Sequence, residues 1–146
     1  MKKEKKIKKT GAMCVCGRSA GARCGECAPG TRVRAYELAV RDVLESNEAT
    51  RGFAWNKRIE GTRVRPDFVW RFACACVVLE VDEREHASYA PEDERARERL
   101  IARALGRRTT LFRLLVAPNA TVRSVRAAAE AMLGPIEDAL ADALAA

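Results

Sequence analysis

The sequence contains no apolar run of about 18 residues, the length that a membrane-spanning helix needs. Its first residues, MKKEKKIKK, lead into TGAMCVCG and not into a hydrophobic segment, so no signal peptide is expected. These two absences favour a soluble, intracellular protein. The chain has 146 residues, 48% of them apolar, which is enough to bury one hydrophobic core.

Lysine is almost missing beyond the first ten residues. Residues 1–10 hold six lysines and one glutamate and so carry +5 of the net charge of +7, whereas Lys57 is the only lysine elsewhere. A tail of this composition, spanning 1–12, is typical of a disordered solvated segment, and it also suits nuclear import or nonspecific contact with phosphates. The last twenty residues contain acids and no base, so that end is not expected to face nucleic acid.

Four of the six cysteines fall within fourteen residues, CVCGRSAGARCGEC. Nearby glycines allow tight turns that aim four thiolates at one tetrahedral ion, so 13–30 is predicted to be a four-cysteine zinc-binding segment. A structural role for Zn²⁺ is expected, because four cysteine ligands leave no position for water. A reduced or disulfide-bonded loop is the alternative. The expected ligands are Cys14, Cys16, Cys24 and Cys27.

The remaining residues, 31–146, are predicted to form one α/β domain with the order α-β-β-β-α-β-α-α. Apolar residues recur at helical spacing in the first helix, and Cys74 and Cys76 are expected to be buried thiols in an apolar strand. A break at Gly134 and Pro135 is expected to separate the last two helices. The predicted helices are 31–46, 92–105 (ending at Gly106), 120–133 and the C-terminal segment, and the strands are 52–61, 63–70, 74–82 and 109–117.

An apolar stretch that ends in acids, RPDFVWRFACACVVLEVDEREH, occupies residues 65–86. If its two strands form a hairpin that turns near residue 74, residues whose numbers sum to about 147 face each other, and Asp67 stands opposite Glu80. Asp82 shares a face with Glu80 because strand side chains alternate. Opposed like charges destabilise a sheet, so a cation such as Mg²⁺ is expected among them. A solvated strand end is the alternative.

The spacing from RPDF to LEVDE, placed on this order of elements, resembles the PD-(D/E)XK nuclease superfamily over about residues 31–117. An E-x-D-x-x-x-H variant makes the chain most similar to the very-short-patch-repair-like small endonucleases. The resemblance implies a restriction-endonuclease-like α-β-β-β-α-β core with a mixed central sheet and extra C-terminal helices. It also implies an Mg²⁺- or Mn²⁺-dependent endonuclease that hydrolyses phosphodiester bonds of DNA, with structure- or mismatch-directed repair as one use.

The resemblance also implies roles for individual residues. Asp67 and Glu80 match the metal ligands, and Asp82 stands where many relatives have lysine. His86, the only histidine, is a candidate to accept a proton from the attacking water or to orient it. Two more candidates are Glu37, as a further acid from the first helix or a partner in a surface ion pair, and Lys57, as a displaced catalytic cation.

Three arginines are candidates for phosphate contacts: Arg65, Arg95 and Arg113. Arg113 lies inside the apolar strand LFRLLV and needs an anionic partner, for which Glu80 or a substrate phosphate is expected. Arg95 has an exposed helix charge as its alternative interpretation. The aromatic residues available for stacking on bases are Phe53, Trp55 and Trp70, with core packing favoured for at least two of them.

Two other classes of protein stay open. One is a nucleic-acid-binding module that keeps the nuclease fold without turnover, which the missing E-x-K lysine favours. The other is a zinc-ribbon interaction protein in which the acids are only a solvated strand end. Binding of Mn²⁺ through Asp67 separates the first of these from an active nuclease, and a monomer and a homodimer are both compatible with the sequence.

Overall fold

A computed structural model of the chain describes residues 13–14, 32–33, 35–83, 91–117 and 119–146. These residues form an α/β fold in which three helices surround a mixed four-stranded sheet, beside one two-stranded pairing. No helix in the described ranges is long and apolar enough to cross a membrane. The elements are β1 Met13–Cys14, β2 Arg32–Val33, α1 Ala35–Ser46, β3 Ala54–Trp55, β4 Phe68–Arg71, β5 Ala75–Glu83, α2 Pro91–Leu105, β6 Arg108–Val116 and α3 Val122–Ala145.

The four-stranded sheet has the order β3-β4-β5-β6. The first three strands form an antiparallel meander, whereas β6 runs parallel to β5. A parallel neighbour requires a crossover connection, and α2 supplies it. Because α2 connects β5 to β6, these two strands run parallel and the sheet is mixed.

Side-chain alternation in β5 divides the core between the two faces of the sheet. Val77 and Leu79 belong to a cluster that includes residues of α1 and α3, while Cys76 and Val78 pack with residues of α2. All four are buried, because both faces of this central strand are covered. Burial on both faces explains why the strand sequence CACVVLEV is apolar at nearly every position.

The β4–β5 hairpin turns where the sequence predicts it. Phe72 donates its backbone N–H to the carbonyl of Ala75 at 2.8 Å, which closes the turn. Cys76 is buried as predicted, but the prediction for Cys74 is wrong, because that residue lies in the turn and is exposed.

Several predicted boundaries shift. The first helix begins at Ala35, because Arg32 and Val33 pair with β1 instead of entering the helix. The strands predicted for 52–61 and 63–70 are only Ala54–Trp55 and Phe68–Arg71. The strand β3 stops before Asn56, whose φ of 50° lies in the left-handed region, which a short polar side chain tolerates better than most.

The end of α2 agrees with the sequence. Gly106 follows the last helical residue with a φ of 66° and donates its N–H to the carbonyl of Ala102 at 3.0 Å. A left-handed residue after a helix costs least at glycine, because no Cβ opposes it. The chain then turns directly into β6.

The predicted break at Gly134 and Pro135 is wrong, since α3 runs unbroken from Val122 to Ala145. Proline lacks the N–H that a helix interior uses, and it crowds the carbonyl four residues earlier. Buried Val125 and Ala129 before the proline, and Ile136 after it, lie on one apolar face. Burial of that face outweighs the local cost of the proline.

Replacing Pro135 by alanine is expected to stabilise the protein by about 1–3 kcal/mol, because an interior helix proline costs roughly 3 kcal/mol relative to alanine. Residue 135 is exposed, so the change leaves the core intact. Urea unfolding followed by circular dichroism measures the difference. A matched Gly134→Ala change should gain less while Pro135 remains, since proline disfavours helical geometry at the residue before it. A Pro135→Ala protein no more stable than the wild type would contradict this account of α3.

Candidate active site

The pairing of β4 with β5 brings two carboxylates to the same end of the sheet. Phe68 pairs with Leu79 and Val69 with Val78, so the facing residues sum to 147 as the sequence predicts. The same register carried one residue further places Asp67 opposite Glu80. Glu80 is almost completely buried at 8% exposure, and Asp67 is half-buried.

Backbone groups fix Asp67 from both neighbouring strands. Val81 of β5 donates its N–H to Asp67 Oδ2 at 2.8 Å. Asn56, just after β3, donates its N–H to the Asp67 carbonyl at 2.8 Å. Pro66, which has no N–H to place in a ladder, is buried directly before it. The Asp67 carboxyl is therefore held in a defined position.

The surroundings of Asp67 oppose its negative charge. Burial raises the pKa of its carboxyl from an ordinary 3.8 to about 7, and the charges of Glu37 and Glu80 contribute to that rise. The Val81 N–H and the Arg97 guanidinium act in the opposite direction and are outweighed. Near neutral pH the carboxyl is thus divided between its neutral and charged forms. Glu37, Asp67 and Glu80 are called the acid site below.

Glu80 is paired with Arg97 of α2. The Arg97 Nε lies 3.1 Å from Glu80 Oε2, and its Nη2 lies 3.4 Å from Glu80 Oε1. The same Nη2 lies 3.4 Å from the backbone carbonyl of Arg65. Both carboxylate oxygens of Glu80 are therefore engaged by one guanidinium.

Arg113 does not pair with Glu80, although the two residues are Cα partners across β5 and β6. Its guanidinium instead contacts two acids of α2, with Nη1 3.1 Å from Glu94 Oε2 and Nη2 3.7 Å from Glu98 Oε1. The prediction of Glu80 as its partner is corrected on this point. Glu94 and Glu98, four residues apart on α2, bind the Arg113 guanidinium in place of Glu80.

The other predicted site residues are distributed unevenly. Glu37, in the first turn of α1, is half-buried and close enough for its charge to act on Asp67. Asp82 is half-buried and lies on the same face of β5 as Glu80. Lys57 is exposed beyond the end of β3, so its predicted place within a strand is wrong. Arg65 and Arg95 are exposed.

Some predicted residues fall outside the described ranges. His86 lies there, and so do three of the four predicted zinc ligands, Cys16, Cys24 and Cys27. The fourth, Cys14, belongs to β1, where it pairs with Arg32. The zinc segment and the role of His86 stay predictions.

The three aromatic residues considered for base stacking pack within the protein. Trp70 is buried and donates its Nε1–H to the carbonyl of Thr50 at 2.8 Å. Phe53 packs edge-on against Trp70 and Phe68, with ring centroids 5.9 and 5.2 Å apart. The Arg41 guanidinium carbon lies 4.3 Å from the Trp55 ring centroid. Core packing is thus the better description for at least Phe53 and Trp70.

Sequence reasoning missed Arg97 and named Arg95 instead. The helical period contains the signal, because Arg97 precedes the fully buried Ile101 by four residues and so shares its face. Arg95 is rotated away from that face and is exposed. The position next to a buried acid of the sheet identifies Arg97 as the arginine of this site.

The acid site offers hard oxygen ligands. Within the described residues no three carboxylate, thiol or imidazole groups are arranged to hold a metal ion by themselves. Mg²⁺ is commonly bound by one or two carboxylates, with water and substrate oxygens completing its coordination. The high pKa of Asp67 is caused first by burial of its carboxyl and then by the nearby charges of Glu37 and Glu80. Asp67 and Glu80 provide two such carboxylates, although Arg97 engages both oxygens of Glu80.

Comparisons of the chain with protein-family models, with curated proteins and with solved structures gave no match. The resemblance to the PD-(D/E)XK nucleases therefore depends on the motif residues of this sequence.

Asp67→Asn is expected to stabilise the protein at pH 8 when divalent cations are removed. Because the folded-state pKa of Asp67 lies above its unfolded value, the folded protein binds the extra proton, and stability falls as pH rises from about 4 to 7. The full shift corresponds to about 4 kcal/mol. Asparagine still accepts from Val81, so a gain of about 2–4 kcal/mol, roughly 5–10 °C in Tm, is expected at pH 8 and little at pH 4.

Thermal unfolding at both pH values measures this gain. Asp42→Asn is the matched control, because Asp42 is exposed and, within the described part of the chain, pairs with the partly exposed Arg126 at 3.3 Å. It should change Tm little at either pH. An Asp67→Asn protein less stable than the wild type at pH 8 would contradict the high pKa of Asp67.

Proposed function

We propose that this protein is a metal-dependent DNA endonuclease that hydrolyses phosphodiester bonds at the acid site. The observation that carries the proposal is the half-buried Asp67, set opposite Glu80 by the strand register, with a pKa near 7. Groups with strongly raised pKa values in a fixed cluster are more common at functional sites than elsewhere. The element order α1-β3-β4-β5-α2-β6 supports a restriction-endonuclease-like core.

In this proposal Asp67 and Glu80 hold Mg²⁺ or Mn²⁺. When bound, the ion lowers the pKa of a coordinated water and offsets charge that develops on the phosphate. The Val81 N–H orients the Asp67 carboxyl, and Glu37 adds negative charge beside it. His86 is the proposed proton acceptor for the attacking water. Asp82, at the position of the usual lysine, supplies no positive charge.

The outer face of α2 supports a nucleic-acid partner. Arg95, Arg99 and Arg103 follow one another at intervals of four residues, and all three are exposed. Like charges at this spacing destabilise a helix by about 0.2–0.5 kcal/mol per pair. Arg99 and Arg103 have no acid three or four residues away on α2 to offset that cost. A phosphate backbone would supply the missing negative charge.

The second candidate function is a nucleic-acid-binding module without turnover. It is favoured by the Arg97–Glu80 pair, in which a guanidinium takes the position that a metal ion needs. The absence of the E-x-K lysine points the same way. Binding to DNA without cleavage on any substrate would establish it.

Cleavage of labelled linear, mismatched and branched DNA with Mg²⁺ or Mn²⁺ tests the proposal. Asp67→Ala should reduce the rate about a thousandfold or more, because loss of a metal ligand removes several kcal/mol of transition-state stabilisation. Asp42→Ala, a change of an exposed acid, should leave the rate unchanged. A folded wild type that binds DNA but cleaves none of these substrates with either ion would rule out the endonuclease.

Replacing both Arg99 and Arg103 by alanine is expected to weaken DNA binding and reduce its salt dependence. Each lost phosphate contact lowers the slope of log K against log salt by about 0.9, so the double variant should lose about 2. Fluorescence anisotropy in EDTA at several salt concentrations measures the slope. Arg123→Ala is the control, since Arg123 is exposed on α3, across the sheet from α2. Equal slopes for wild type and double variant would exclude this face of α2.

A further inference from the structure

Arg97 and Glu80 form an ion pair with very unequal exposure. The Glu80 side chain is 11% exposed, whereas the Arg97 side chain is 41% exposed. An incoming phosphate can therefore reach the guanidinium but has little access to the carboxylate. A guanidinium on a flexible side chain also binds phosphate in the bidentate manner in which it binds a carboxylate.

Arg97 is the cation that pairs with Glu80, because the other nearby arginine is bound by acids of α2. Arg113 is the Cα partner of Glu80 in the sheet, but Glu94 and Glu98 of α2 hold its guanidinium. Among the described residues, Arg97 is the one cation that contacts Glu80. Movement of Arg97 would leave both oxygens of a nearly buried carboxylate available.

A metal ion and Arg97 compete for the same oxygens. Arg97 engages Oε1 and Oε2 of Glu80 at 3.4 and 3.1 Å, so Glu80 cannot bind a metal ion fully while this pair persists. Loss of the pair without a replacement cation is strongly unfavourable, because it leaves a buried charge uncompensated. Release of Arg97 thus requires a new cation for the nearly buried glutamate, and a phosphate near the more exposed arginine favours it.

We propose that Arg97 is a displaceable internal cation that holds Glu80 in the absence of nucleic acid and passes to a substrate phosphate when nucleic acid binds. This inference rests on the proposed nuclease function and adds regulation to the same site. Glu80 then becomes a metal ligand when substrate is present. Arg97 is a positioning residue in this scheme, since it acts on the metal site through Glu80.

Titration of the full chain with Mn²⁺ by electron paramagnetic resonance, without DNA, gives the first readout. Arg97→Gln is expected to bind Mn²⁺ about tenfold tighter or more, because a competing cation is removed. Arg97→Lys should lie between it and the wild type, since lysine keeps the charge but not the two-point contact. Adding Asp67→Asn to Arg97→Gln should abolish the gain, which assigns the ion to the acid site and not to the cysteines.

DNA binding in EDTA gives a second readout that moves in the opposite direction. Arg97→Gln should weaken binding and lower the salt slope by about 0.9, because one phosphate contact is lost. Arg123→Gln, across the sheet, should alter neither readout. An ion pair that only stabilises the fold would not tighten Mn²⁺ binding.

The outcomes separate the two proposals. If wild type binds Mn²⁺ through Asp67 and neither Arg97 variant binds it more tightly, the role of Arg97 is wrong and the metal site stands. If no protein binds Mn²⁺ through Asp67, both proposals fail. Circular dichroism checks folding. If Arg97→Gln does not fold, the charged Arg97→Lys variant replaces it in the test. Tighter Mn²⁺ binding by Arg97→Lys than by wild type then supports the role of Arg97, and unchanged binding overturns it.

Discussion

The hydrogen-bonded pairing of β4 with β5 positions the two central carboxylates of the acid site, Asp67 and Glu80. It sets Asp67 opposite Glu80 and brings the Val81 N–H to 2.8 Å from the Asp67 carboxyl. A shift of one residue would turn each side chain to the other face of the sheet and separate the acids. The buried residues on both faces of β5 fix this register, so the packing of the core and the geometry of the site have one cause.

The protein neutralises its two central carboxylates by different means. Glu80 receives a guanidinium from α2, whereas Asp67 has no direct cationic partner in the described ranges and retains a pKa near 7. Neither arrangement is what stability alone would favour, because apolar residues of similar size would avoid both costs. Stability lost at a defined cluster is typical of a site selected for function.

The sequence predicts the central hairpin and the end of α2 better than it predicts strand β3 and the last helix. Alternation and hairpin spacing fix the β4–β5 register, and Gly106 marks the end of α2. Local rules fail at Pro135, where a buried apolar face maintains a helix that the proline alone would interrupt. Arg97 was missed because motif spacing concerns neighbours in sequence, whereas its role follows from helical phase relative to Ile101 and from the packing of α2 on the sheet.

Charge balance connects the two proposals. At neutral pH the partly bound proton on Asp67 and the guanidinium of Arg97 offset only part of the negative charge of the three acids. In the proposed scheme a divalent cation would bring two positive charges to Asp67 and Glu80 and would replace both the proton and the guanidinium. A nucleic acid would supply the anion that the released guanidinium needs. Metal binding and substrate binding would then favour each other, because each removes a cost that the other would otherwise meet alone.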